Sequence, residues 1–163
     1  METIMINMRI RALPAGVRDL RSHTGFWLRF VSNHVSHSFA RKLVGSGVTV
    51  AEWVVLREMF ETSATSPSAL ATATGLTRGA VSKLIERLVR KDLVSRAEAT
   101  DDRRFQDVRL TSTGRMLVPK LAAIADQNDN EFFSQLPVRE RERLVATLKK
   151  LVAVNSLNKV PTT

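Results

Sequence analysis

The sequence has no cysteine, no long apolar run and comparatively few acidic residues. The lack of cysteine excludes disulfides, thiolate metal sites, cysteine nucleophiles and thiol redox sensing. No apolar run approaches the roughly 18 residues of a membrane span, and the N-terminus lacks the pattern of a secretory signal. We therefore expect a folded cytoplasmic protein with no membrane segment.

The shortage of acidic residues leaves a strong positive charge. There are 16 Asp and Glu against 25 Lys and Arg, which gives a formal net charge of +9 over 163 residues. Such a balance favours a polyanionic partner, either nucleic acid or an anionic membrane surface, and composition does not choose between them. Apolar residues make up 44% and charged residues 25%, which is typical of one ordinary globular domain.

The first half of the chain reads as a series of helices. Residues 17–44 contain no proline and carry apolar residues at four-residue intervals, so they predict one long amphipathic helix that ends at Gly45-Ser46-Gly47. Thr49 then stands three residues before Glu52, a capping-box pair that opens a helix ending near Thr62.

Two further helices follow in close succession. Ser66 and Pro67 predict the start of a short helix, and Gly75 predicts its end. Thr77 predicts the cap of a fourth helix that runs to about Lys91. The apolar face of that helix comprises Val81, Leu84, Ile85 and Leu88.

The chain then changes pattern twice. From Leu93 it is short and extended, with a polar turn at 99–105 and an alternating segment after it, which predicts a two-stranded hairpin. The C-terminal third predicts helices over 112–134, with a kink at Pro119, and over 137–154, begun by Pro137.

The order of a short helix, a tight turn, a helix with a polar outer face and a basic hairpin is what a winged helix-turn-helix requires. With this order in place, the chain resembles the MarR family of winged helix-turn-helix transcription regulators over about residues 20–155. The likeness rests on four segments: Gly47-Val48-Thr49-Val50-Ala51-Glu52-Trp53, Ser66-Pro67-Ser68-Ala69-Leu70-Ala71, Leu76 to Ser82 with Leu88 to Val94, and Asp102-Arg103-Arg104 followed by Leu110-Thr111 and Gly114.

The resemblance implies a mainly α fold with a small β-hairpin wing (α+β). It divides the chain into a flexible basic arm (1–16), a helical dimerisation region (17–48 and 112–157), a DNA-binding region (49–111) and a tail (158–163). The function implied is a sequence-specific transcriptional regulator, a homodimer on a palindromic operator of double-stranded DNA, acting as a repressor relieved by a small aromatic or anionic ligand.

The recognition helix is expected at about 77–91, in the major groove. Thr77 and Arg78 lie at its N-terminus, where backbone amides favour a phosphate, and Gly79 permits close approach to DNA. Four further side chains are spaced to reach base edges or the backbone: Ser82, Lys83, Arg87 and Arg90. Glu86, on the same face, must meet a cytosine amino group or point away from DNA.

The wing is expected at about 93–111, with its tip at the minor groove. Arg104 supplies the planar, permanent charge that suits a narrow minor groove, and Asp102 can accept a hydrogen bond from it and orient its fork. Arg103 can meet a phosphate. A solvated charged turn is the plainer interpretation of the same three residues.

The resemblance also implies an effector crevice between the dimerisation and DNA-binding parts. Its candidate walls are His37, Trp53, Arg57 and Met116, each of which would also suit plain core or surface. His34 and His37 are spaced to share a metal ion, yet too few other ligands exist to complete a site, so we expect no metal and no cofactor.

Three other classes of function compete with this interpretation. An enzyme is disfavoured because no glycine-flanked nucleophile, phosphate-cradling loop or paired-carboxylate motif is present. A basic membrane-surface protein would not require the Asp-x-Arg hairpin. A regulator fold that has lost DNA binding is disfavoured by Arg78, Lys83, Arg103 and Arg104.

Overall fold

The computed structural model describes residues 17–96 and 107–157. The elements, in chain order, are a 3-10 turn (Leu20–Ser22), α1 (Thr24–Lys42), α2 (Val50–Phe60), α3 (Pro67–Thr74), α4 (Arg78–Arg90), β1 (Val94–Arg96), β2 (Val108–Leu110), α5 (Ser112–Phe133) and α6 (Val138–Val154). This is the winged helix architecture that the sequence predicts. The chain divides into two compact units, Met1–His34 and Val35–Thr163.

The described part of the first unit corrects the predicted start of the first helix. The sequence predicts a helix from Val17, but α1 begins at Thr24 and a separate 3-10 turn precedes it. The carboxylate of Asp19 accepts a hydrogen bond from the backbone N–H of Arg21 at 3.3 Å, and His23 then takes an extended conformation. A short acidic side chain that binds nearby backbone amides competes with helix formation, and apolar periodicity does not register this.

The turn between α1 and α2 confirms the predicted helix end. Gly45 and Gly47 both have positive φ, at 92° and 72°, a conformation that disfavours residues with a Cβ. The capping box also forms: the N–H of Glu52 donates to Thr49 Oγ1 at 3.3 Å, and the N–H of Thr49 donates to Glu52 Oε2 at 2.8 Å. The end of α2 at Phe60 lies two residues before the predicted end.

The second unit has one apolar core, to which α2, α4, α5 and the hairpin contribute. The four predicted apolar residues of α4 are all buried. Val55 and Leu56 of α2, and Val118 and Leu121 of α5, are at most 1% exposed. The apolar face of α4 is therefore committed to the core, and its opposite face is left at the surface.

The helix-turn-helix itself forms at the predicted residues. Ser66 Oγ accepts a hydrogen bond from Ala69 N–H, Pro67 occupies the first turn of α3, and Gly75 ends α3 in the left-handed region with φ 70°. Thr77 then caps α4 through its hydroxyl oxygen. The turn between the two helices is consequently short and closed at both ends.

The hairpin is antiparallel, with Val94 opposite Leu110 and Ser95 opposite Arg109. Backbone hydrogen bonds between Thr65 and Val108, at 2.8 and 3.0 Å, join β2 to the segment before α3. The predicted turn at 99–105 lies outside the described residues, and so do the arm (1–16) and the tail (158–163).

The two C-terminal helices follow the prediction within a few residues. Pro119 lies inside α5, which continues past it, and the predicted kink stays a prediction. Pro137 is the residue before α6 rather than its first residue, because its backbone (φ −54°, ψ 146°) is not helical. No residue of α6 is buried in this single chain.

Candidate nucleic-acid interface

The recognition helix α4 has one face in the core and one face in solvent. Its outer residues are all exposed: Arg78, Gly79, Ser82, Lys83, Glu86, Arg87 and Arg90. Within residues 17–96 and 107–157, no carboxylate makes a salt bridge with any of the four cations of this face. The face therefore presents four positive charges and one negative charge to a partner.

The N-terminal end of α4 is open to an anion. The Thr77 hydroxyl oxygen accepts the N–H of Ala80 at 3.2 Å and the Thr77 carbonyl accepts that of Val81 at 3.0 Å, so these two amides are satisfied within the helix. The amides of Arg78 and Gly79 precede them in the first turn, where helical partners do not exist. A Cβ built on Gly79 would meet nothing within 4 Å. This end of the helix can approach a phosphate backbone closely.

The middle of α4 carries a cation that is partly oriented. Arg87 Nε donates to the carbonyl of Lys83 at 3.4 Å, which holds the guanidinium back along the exposed face. Lys83 and Arg87 lie about one turn apart, so they project from the same side of the helix.

The described part of the hairpin adds cations that sequence analysis did not select. Arg96 and Arg109 are both exposed, and Arg109 is paired with Ser95 on the outward side of the two strands. The alternation of buried Val108 with Arg109 is the signal that places Arg109 at the surface. The predicted tip residues Asp102, Arg103 and Arg104 lie outside the described residues.

The C-terminal end of α4 is attached to the rest of the second unit by an ion pair. Lys91 Nζ lies 2.9 and 2.8 Å from the two carboxylate oxygens of Glu52, and it also donates to the carbonyl of Gly47 at 2.7 Å. The Glu52 side chain is 0% exposed and that of Lys91 is 36% exposed. Burial acts to raise the pKa of Glu52, but hydrogen bonds from Lys91 and Thr49 outweigh it and hold this pKa below its ordinary value.

The four residues predicted to line an effector crevice occupy three helices. On α1, His37 is exposed and lies two residues before Phe39, whose ring packs edge-on against Trp53 with centroids 6.3 Å apart. On α2, Arg57 is one turn after Trp53 and is paired with Glu61 at 2.6 Å. On α5, Met116 is exposed. Trp53 is therefore half-buried beside the core, and the other three are at the surface.

Three further observations concern the histidines, metal ions and the membrane. His34 Nδ1 lies 2.8 Å from the carbonyl oxygen of Phe30, one turn earlier in α1. In the part of the chain that the structure describes, no three His, Cys, Asp or Glu residues are grouped to hold a metal ion. None of the described helices is long and apolar enough to cross a bilayer.

Fold and surface together define a winged helix-turn-helix protein. The sequence model of the MarR family matches residues 46–104. A Thauera aromatica protein named as a transcriptional regulatory protein for the hcr operon is 29% identical over 139 residues, which is 85% of this chain and 84% of that protein.

Solved structures agree with this match. Bordetella bronchiseptica BpsR, whose DNA binding is regulated by 6-hydroxynicotinic acid, is 29% identical with a TM-score of 0.76, over 83% of this chain and 98% of the BpsR chain. Staphylococcus aureus MepR, solved in complex with DNA, is 25% identical with a TM-score of 0.75, over 81% of this chain and 98% of the MepR chain.

Over residues 46–104 the chain matches the MarR family, and the relatives that it resembles along most of its length are transcriptional regulators. The resemblance drawn from its motifs is thereby confirmed. Because the proteins that it matches are regulators rather than enzymes, the prediction that this chain is not an enzyme is confirmed as well.

Proposed function

We propose that this protein is a dimeric repressor that binds a palindromic DNA operator and is released from it by a small aromatic anion. The observation that carries the proposal is the exposed face of α4, where Arg78, Lys83, Arg87 and Arg90 are spread along a helix with an open N-terminal end and a buried opposite face. A helix of this kind fits the major groove of B-form DNA.

Each residue of the helix has a role in this proposal. Thr77, Arg78 and the first amides of α4 hold a phosphate, and Gly79 lets the helix end approach it. Ser82, Lys83, Arg87 and Arg90 contact base edges or further phosphates. Glu86 then either accepts from a cytosine amino group or points away from the groove.

The wing contacts DNA beside the same half-site. Arg104 enters the minor groove with its fork oriented by Asp102, and Arg103 meets a phosphate. Arg109 and Arg96 extend this contact toward the base of the hairpin, where they can neutralise the adjacent backbone.

A homodimer is supported by apolar surface that one chain leaves uncovered. In α6, Leu144, Val145, Leu148, Leu151 and Val152 are each at least 36% exposed. In the first unit, Trp27 and Phe30 are 47% and 48% exposed. A second copy that covers these side chains gives a two-fold assembly, which presents two recognition helices to half-sites about one helical turn, or roughly 34 Å, apart.

The proposal of an effector and its crevice rests on the likeness to the MarR family and on the position of Trp53. A small aromatic anion can stack on Trp53 and pair with Arg57, with His37 and Met116 as the other walls. The regulation of BpsR by 6-hydroxynicotinic acid, which is such a ligand, supports this chemical class. Binding that favours the spacing of the free dimer weakens DNA affinity. Because its proposed partner is operator DNA, we also place this protein in the cytoplasm.

Selection of binding sites from random double-stranded DNA, followed by fluorescence anisotropy against the selected site, tests the function. We expect a palindrome. If the dimer neutralises on the order of 6 to 10 phosphates, the slope of log K against log salt is roughly −5 to −9. Failure to enrich a palindrome would contradict the proposal, as would stronger binding to anionic vesicles than to DNA. A panel of aromatic acids that leaves both DNA affinity and melting temperature unchanged would contradict the effector.

A further inference from the structure

Three hydrogen bonds from the ammonium group of Lys91 hold the C-terminal end of the recognition helix. Lys91, the residue after α4, donates to both oxygens of Glu52 and to the carbonyl of Gly47, all within 2.9 Å. Glu52 lies in the first turn of α2, and Gly47 lies in the turn that follows α1. One side chain therefore joins α4 to two segments that are about 40 residues away in sequence.

The acceptor is unusual because its charge is fully buried. The Glu52 side chain is 0% exposed, and in the described part of the chain Lys91 is its only cationic partner. Removing one member of such a pair leaves an uncompensated buried charge, whereas replacing both members with apolar groups costs little. The pair thus specifies a geometry more than it adds stability.

Two further contacts restrain the same end of the helix. The N–H of Leu93 donates to the carbonyl of Leu88 at 3.0 Å, which closes the last turn of α4 around Asp92. Thr111, at the start of α5, donates its hydroxyl to the carbonyl of Asp92 at 2.7 Å. Arg78 and Gly79 at the N-terminal end of α4 are exposed, whereas the C-terminal end is held by these polar contacts in addition to the core. We call the C-terminal end the fixed point of the helix.

We propose that Glu52 and Lys91 are positioning residues that set the direction of α4 from this fixed point, and with it the half-site spacing that the dimer accepts. This inference rests on the proposed function, since spacing has meaning only for a dimer on a palindrome. Neither residue needs to touch DNA for this role. A small rotation at the fixed end displaces the far end of a helix of 13 residues, where Arg78 and Thr77 lie.

The direction in which one substitution changes DNA affinity distinguishes a positioning role from an effect of charge alone. Glu52→Gln removes a negative charge from a protein that binds a polyanion, so electrostatics alone predicts equal or tighter DNA binding. Positioning predicts weaker binding, because the glutamine amide group turns a donor toward the Lys91 ammonium and the ion pair is lost. Glu61→Gln is the matched control: it makes the same change in charge at an exposed residue that directly follows the same helix.

The experiment measures Kd for each variant on the selected palindrome and on versions with one or two base pairs inserted between the half-sites. For Glu52→Gln we expect binding to the selected site about five to thirty times weaker, a reduced preference over the lengthened sites, and an unchanged salt slope. Glu61→Gln is expected to keep the wild-type preference. Glu52→Gln that binds as tightly as Glu61→Gln with the same spacing preference would overturn the inference.

A double variant keeps the test informative if Glu52→Gln fails to fold. Glu52→Leu/Lys91→Met removes the pair without burying a lone charge and leaves the net charge unchanged. We expect it to fold by circular dichroism and to have lost the spacing preference; a folded double variant that retains the preference would overturn the inference. Wild-type protein that binds no palindrome would instead refute the proposed function, and this inference with it.

Discussion

Gly114, in the first turn of α5, packs its backbone directly against the carbonyl group of Leu93, just beyond the end of α4. A Cβ at this position would lie 3.0 Å from the carbonyl carbon of Leu93 and closer still to its oxygen. Those atoms are backbone and cannot rotate away. The glycine of the Leu-Thr-x-x-Gly motif is therefore the residue that lets α5 start against the end of the recognition helix.

We expect Gly114→Ala to lower the free energy of unfolding by about 1–3 kcal/mol or more, because the added methyl forces the two backbones apart. Gly79→Ala is the matched control, since a Cβ there meets nothing within 4 Å. That substitution should raise stability by about 0.5–1 kcal/mol through helix propensity. Urea denaturation of both variants checks the prediction, which is wrong if Gly114→Ala is as stable as wild type.

Asp92 has φ 55°, a left-handed conformation at the end of α4 where glycine is usual. We expect Asp92→Val to destabilise the fold by about 1–3 kcal/mol, because a β-branched residue is strained in this region. Asp92→Gly should be at least as stable as Asp92→Ala. Thermal unfolding of the three variants tests this, and equal stability of all three would show that the backbone relaxes.

The stability that Glu52 contributes should depend on pH. Its pKa is lower in the folded protein than its ordinary value of 4.5, so its contribution is present above that value and is lost as the pH falls through the folded pKa. Wild type should therefore be more stable than Glu52→Gln at about pH 7, and the difference should shrink below about pH 4. Urea denaturation at both pH values measures it. A difference that is constant with pH would show that the effect of the substitution is steric.

Leu148→Glu should shift the homodimer toward monomer and weaken operator binding. Leu148 is 38% exposed on the apolar side of α6, and a carboxylate buried there without a partner is costly. Lys150→Glu is a stringent control, because it changes the charge by more than Leu148→Glu does. Its position lies about 200° around the helix from Leu148. Sedimentation velocity at micromolar concentration decides: an unchanged dimer in Leu148→Glu, or wild type that sediments only as an 18.2 kDa species, would exclude this interface.

The wing can be distinguished from a merely basic surface. Arg104→Ala should cost about 1–3 kcal/mol of specific binding per half-site with folding intact, and Arg104→Lys should restore only part of it, because lysine lacks the planar fork. Asp102→Ala should also weaken binding through lost orientation, although a simple charge model predicts the opposite. All three are compared by anisotropy on one operator at one salt concentration. Tighter binding by Asp102→Ala, or full activity of Arg104→Lys, would show that the tip supplies only charge.

Local signals accounted for most of the fold. The capping box at Thr49, the cap and proline at Ser66 and Pro67, the left-handed Gly75 and the apolar face of α4 each depend on residues a few positions apart, so they can be read in the sequence. The exposed cations of α4 follow from the same periodicity. The likeness to the MarR family follows from these motifs taken together.

Tertiary structure alone decided the contacts between distant segments. Nothing near Glu52 in sequence indicates that its carboxylate is buried against Lys91, because the pairing requires α2 and α4 to pack on one core. The carbonyl of Leu93 explains Gly114 only once α5 is placed beside it. The start of α1 also escaped the pattern, since apolar spacing continues through Asp19 while its side chain caps a separate 3-10 turn before α1. Burial and contact between distant residues are properties of the packed chain. They determine how the locally predicted helices pack against one another.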